Sequence, residues 1–156
     1  MFALMKLLRS YAPQVHYPPH DVRTAFDART FNLSEQQLEH LLRGGGGVQM
    51  DCSEAVTEVC RWAGLRDPNG LGYRYAGYTG TLLKHLPHYS DPAAAFVGAL
   101  VVFGPYPGEH VSMVYERGTD PVLWSHGREQ GPDLYRLSVE RGWHSPPVTF
   151  LSIAHL

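Results

Sequence analysis

Cysteine is scarce in this chain, with two in 156 residues, Cys52 and Cys60. That excludes a scaffold built on disulfides. Neither CxxC nor HExxH occurs, so the common zinc signatures are missing and no metal or other cofactor is expected. No apolar run approaches the ~20 residues of a membrane-spanning helix. Thirteen basic residues stand against fifteen acidic ones, which leaves no cationic footprint for nucleic acid. No internal repeat is visible. What remains fits one domain, 1–156, with 44% hydrophobic residues and enough length for a sizeable core. Nine histidines would turn the net charge positive as they titrate near pH ~6.5.

The N-terminal stretch Met1 to Arg9 is interrupted by Lys6 and Arg9 and lacks a clean small-residue cleavage site. It reads as a short amphipathic helix rather than an export signal. Asn32-Leu33-Ser34-Glu35-Gln36-Gln37-Leu38 holds a capping box, Ser34 with Gln37, and Leu38, Leu41 and Leu42 form the apolar stripe behind it. Gly44 to Gly47 then make a joint. The chain divides there into a helical segment, 1–47, and a core, 48–156.

The core opens on Met50-Asp51-Cys52-Ser53-Glu54. Asp51 is a fitting N-cap with Glu54 three residues on, so Cys52 falls in the first turn of a helix running to about Ala63. Free N–H groups and the helix dipole there favour an anion, and the thiolate is the nucleophilic form. Cys52 and Cys60 lie ~12 Å apart along that helix, at ~1.5 Å per residue. A disulfide needs Cα atoms within ~7 Å, so both are expected as free thiols, with Cys60 a buried core residue.

Gly64 ends the helix and Asp67-Pro68-Asn69-Gly70 signals a turn. A loop carrying Tyr73, Tyr75 and Tyr78 follows, then a short helix, Thr81 to Leu86. The tyrosines suit either a groove that stacks on sugar or peptide or a semi-buried loop. Strands are expected after Pro92: the apolar run Phe96 to Phe103, then Val111 to Tyr115, Val122 to His126, Leu134 to Val139 and Val148 to Ile153. Helices first and a meander second argue for an α+β domain with a helix on an antiparallel sheet of about five strands.

His110 opens one strand after a Gly- and Pro-rich loop, a position that suits a catalytic base or, equally, an exposed polar residue. Alternation groups His126 with Val122 and Trp124. On a neighbouring strand His126 would orient His110, and Ser125 would do so if the register slips by one. Cys52, His110 and His126 also form a conceivable zinc set, without a supporting signature. His85 and His88 make an HxxH that reads as a solvated helix face.

The ordered combination of Asp51-Cys52-Ser53, Glu109-His110-Val111-Ser112-Met113-Val114-Tyr115 and Trp124-Ser125-His126 resembles the NlpC-type family of papain-like cell-wall cysteine peptidases. Asp67 to Tyr73, Tyr78 to Leu83 and Ser125 to Pro132 look like the lytic enzymes of phages infecting actinobacteria. The resemblance covers roughly Met50 to Ile153. It implies a papain-like fold, Cys52 as nucleophile, His110 as base and His126 as its orienting partner. The Cys52 N–H would help hold the oxyanion, with Tyr17, Ser53, Tyr73 and Tyr78 as weaker oxyanion or substrate contacts. It implies an amide bond in a peptidoglycan stem peptide as substrate, and a monomer made in the host cytoplasm that reaches the wall through a pore protein or in a phage particle. Arg74 or Arg128 would pair with a stem-peptide carboxylate. Where the family often has Gly-Asp before the histidine strand, this chain has Gly98-Ala99. The same constellation also serves acyl transfer or deamidation in a toxin-like enzyme, and a non-catalytic wall-binding module would keep the fold.

Overall fold

The computed structural model describes residues 1–18, 33–89, 91, 95–127 and 131–156. Helix α1 (Phe2–Ser10) buries Leu4, Met5 and Leu8 on one side, so the amphipathic start of the chain docks on the core. A 3-10 turn, Ala12–Gln14, leads into β1 (Val15–His16). Helix α2 (Glu35–Arg43) begins at the expected capping box. Gln37 N–H donates to Ser34 Oγ at 3.2 Å and Ser34 N–H to Gln37 Oε1 at 2.8 Å. Leu38 and Leu42 are buried, whereas Leu41 is 36% exposed. The i, i+4 pair alone faces the core.

The four glycines are a packed reversal rather than a loose joint. A Cβ on Gly47 would come within 3.1 Å of the His16 ring. The reversal delivers β2 (Val48–Gln49) alongside β1 in parallel, Val15 opposite Val48. Helix α3 (Cys52–Trp62) follows, and Gly64 beyond its end takes φ +73°, the left-handed conformation that glycine adopts without strain. Helix α4 runs Thr79–His85, two residues earlier than expected.

Six strands form one antiparallel sheet: β3 (His88–Tyr89), β4 (Leu100–Phe103), β5 (His110–Glu116), β6 (Val122–Ser125), β7 (Asp133–Arg136) and β8 (Val148–Leu151), in the order β3-β8-β4-β5-β6-β7. The fold is α+β. The strand beyond the expected five is β3, so His88 is a strand residue and the HxxH does not lie on one helix. The apolar run from Phe96 becomes strand only at Leu100. Gly98, at φ +95°, turns the chain and donates to the Val114 carbonyl at 2.8 Å.

Alternation splits the sheet between two apolar clusters. Leu100, Val102, Val111, Met113 and Trp124 pack with α1 and α3. Val101, Phe103, Val114, Leu123 and Phe150 pack on the other side with Leu137. Trp124 Nε1–H donates to the Met5 carbonyl at 3.1 Å, tying α1 down. The expected strand Leu134 to Val139 stops at Arg136. Leu137–Glu140 is instead a single helical turn, α5, where Asp120 accepts both the Ser138 N–H and hydroxyl at 2.8 Å. That turn carries Glu140 into the interior, 0% exposed.

Candidate active site

Asp51 starts α3 as the sequence suggests. Its Oδ1 accepts the Glu54 N–H at 2.8 Å and the Ser53 hydroxyl at 2.7 Å. Ser53 is 3% exposed and spends its side chain on this cap, so it offers a substrate no hydroxyl. Cys52 and Cys60 are both buried free thiols.

The helix start does not leave Cys52 a thiolate. Burial, and then the Asp51 carboxylate, push the thiol up to about 11 against the Tyr17 hydroxyl and the N–H groups of Val111 and Ser53. Desolvation of the charged form outweighs the helix-start donors. Cys52 is therefore held as a thiol at neutral pH. Tyr17 donates its hydroxyl to Sγ at 3.6 Å. It follows β1, and β1 pairs with β2, which leads through Met50 into α3. The N-terminal segment thus reaches the thiol.

The sulfur lies against the Val111 N–H, one residue after His110. His110 is 4% exposed and is held from behind. Its Nε2 sits 2.8 Å from Ser125 Oγ, 3.1 Å from Ser112 Oγ and 3.8 Å from Glu140 Oε2. The ring stacks on His144 with centroids 4.6 Å apart and planes at 14°.

His126 does not take the place expected of it on His110 Nε2. Ser125, the one-residue alternative, does. His126 instead bonds the Met50 carbonyl through Nε2 at 2.8 Å and lies against the Tyr17 ring, centroids 5.4 Å apart. Burial lowers its pKa to about 4, against the Met50 carbonyl, so it is neutral near pH 7.

The remaining candidates scatter. Tyr73 donates its hydroxyl to the Leu65 carbonyl at 2.9 Å and lines an open cavity of about 640 Å³ with Arg66, His85 and Ser152. Cys52, His110 and His126 do not line it. Tyr78 is 45% exposed at the head of α4. Its ring and Pro107 both border Gly80, which sets it beside the loop entering His110. Arg74 is exposed, and Arg128 lies outside the described residues.

Glu140 had no signal in the sequence, because Leu137-Ser138-Val139 alternates like strand. Ser112 had one: at i+2 from His110 it shares that residue's face of β5. Among the described residues, His110, Glu140 and His144 bring potential ligand atoms within 4.8 Å of one another. A coordinated ion lies in the plane of each imidazole, and the in-plane lone pairs of two stacked rings run side by side rather than converging. The two imidazoles are therefore not arranged to share one ion.

No family model, curated protein or solved structure matches the chain. The functional reading rests on side-chain geometry.

Proposed function

We propose that the chain is an NlpC-type cysteine endopeptidase, a phage or prophage lysin that hydrolyses an amide bond in the stem peptide of bacterial peptidoglycan. One observation carries the reading. A cysteine at the head of α3 abuts the first residues of β5, where a histidine is braced through Nε2 by a serine on the next strand. The α+β frame, with the cysteine helix against an antiparallel sheet, suits a papain-like fold.

With Nε2 engaged by Ser125, Nδ1 is the nitrogen that takes the Cys52 proton. The thiolate attacks the peptide carbonyl, and the oxyanion is held by the Cys52 N–H at the helix start. His110 returns the proton to the leaving amine, and the peptide bond breaks to leave a thioester on Cys52. Water, deprotonated by His110, then releases the acid and restores the thiol. Tyr17 fits the weaker role of donor beside the sulfur. No cofactor enters, and the enzyme acts as a monomer that reaches the wall through a pore protein or within a phage particle.

The test is wild type beside Cys52→Ala on purified diaminopimelate-type peptidoglycan, with products identified by mass spectrometry. Cleaved stem peptides from wild type alone support the reading. Deamidation of a protein glutamine without wall cleavage would select the acyl-transfer alternative. Wall binding that survives Cys52→Ala, with no hydrolysis by wild type, would select a non-catalytic module.

A further inference from the structure

We infer that Glu140 sets the tautomer of His110, acting through the hydroxyls of Ser112 and Ser125. The inference rests on the thiol reading above and assigns a positioning residue to it.

The chain's interior holds this carboxylate at 0% exposure, a costly placement unless something nearby uses it. Ser112 donates its hydroxyl to Oε2 at 2.7 Å, and Ser125, 2.8 Å from His110 Nε2, is a second hydroxyl that favours the charged carboxylate. Oε1 has no hydrogen-bond partner among the described residues. The group is tied to Ser112 and lies 3.8 Å from the imidazole that Ser125 also braces.

Each hydroxyl has one proton. When both point at Glu140, the serine oxygens present only lone pairs to His110 Nε2, at 3.1 and 2.8 Å. Nε2 must then carry the ring proton, and Nδ1 keeps the lone pair. That is the tautomer able to accept the proton of Cys52. After transfer, the ring is a cation, the sulfur an anion, and the ionised carboxylate is the counter-charge behind the ring. No proton leaves Nε2. Burial raises the Glu140 carboxyl above its ordinary range, while the His110 charge and the Ser112 and Ser125 hydroxyls favour its ionised form. A glutamine would break this logic, because its amide can donate to a serine oxygen. The freed hydroxyl can then donate to Nε2, moving the ring proton to Nδ1.

Among the described residues, the titratable groups near His110 are Cys52 at the head of α3, Glu140 on α5, His144 stacked on the ring, His126 beyond β6 and Glu109 next in the chain. Glu109 accepts the Ser145 N–H at 3.0 Å, so its charge is committed to that loop.

The test follows alkylation of Cys52 by iodoacetamide from pH 5 to 9, in a Cys60→Ala background. It is paired with the side-chain 15N NMR spectrum of His110. Glu140→Gln should slow alkylation at pH 7 by about tenfold or more and move the ring proton to Nδ1. Glu140→Asp should restore part of the rate. Wild-type rate and tautomer in folded Glu140→Gln would overturn the inference. If that variant does not fold, Ser112→Ala with Ser125→Ala cuts the same path, and a wild-type rate and tautomer there overturn it equally. Alkylation needs no wall substrate. Failure of wild type to cut peptidoglycan would therefore count against the proposed function and leave this result standing.

Discussion

Asp51 does two things to α3, and two substitutions separate them. Asp51→Ala removes the acceptor of the Glu54 N–H and of the Ser53 hydroxyl. Loss of an N-cap costs about 1 kcal/mol, and a hydroxyl stranded at 3% exposure costs about 1 kcal/mol more. The sum, roughly 2 kcal/mol, lowers the melting temperature by about 4–8 °C in a domain of this size. Asp51→Asn keeps an oxygen in place for both donors, so its melting temperature should stay within about 2 °C of wild type. Both substitutions remove a charge that raises the Cys52 pKa. Below its pKa a thiol reacts in proportion to its thiolate fraction, about tenfold per pH unit. Asp51→Asn should therefore alkylate several-fold faster at pH 8 with its fold intact. Scanning calorimetry and the iodoacetamide rate give the two readouts. An unchanged or slower rate in folded Asp51→Asn would mean that the Asp51 charge does not raise the Cys52 pKa and that burial alone does.

Tyr17→Phe should act in the opposite direction. It removes the hydroxyl on Sγ, an interaction of about 0.5–1.5 kcal/mol, and should slow alkylation about two- to tenfold. A faster rate would mean that Tyr17 shields the sulfur more than it activates it. His126 makes the fold acid-sensitive. Its folded pKa, lowered to about 4 from 6.5, means that the unfolded chain binds the proton more readily. The stability it contributes is complete above pH ~6.5 and is lost as pH falls toward ~4. His126→Asn should show a smaller loss of stability across that window in denaturant titrations, and an equal loss would contradict this. Glu58 has the reverse sign. Burial raises its carboxyl to about 7 despite Arg61, so its contribution holds below pH ~4.5 and fades as pH rises through ~7. Glu58→Gln should therefore gain on wild type at pH 8 and not at pH 4. Equal melting temperatures at pH 8 would show that Arg61 fully compensates the buried charge.

Local chemistry was the legible part of this chain. The Ser34–Gln37 box and the Asp51 cap are written in nearby residues, and neighbours three apart satisfy them. Elements that depend on tertiary contact were not legible. β3 is two residues long, too short for any periodicity, and exists because β8 offers it an edge. Leu134 to Val139 alternates like one strand, yet Asp120, far back in sequence, caps a helical turn within it. Because of that turn, Glu140 reaches His110, and nothing near position 140 announces it. His126 and Ser125 differ by one residue, and alternation alone cannot say which of two adjacent side chains meets His110. The helix starts at Cys52 as its Asp51 cap implies, but its effect on the thiol depends on burial, which sequence does not display.

In the proposed mechanism Cys52 carries the acyl group. Rapid acid quench of wild type mixed with soluble peptidoglycan fragments, followed by digestion and mass spectrometry, tests it directly. A stem-peptide thioester is expected on the fragment containing Cys52, formed and lost at rates that match product release. Product release with no adduct there, or with the adduct on Ser112, Ser125 or any other residue, would contradict it.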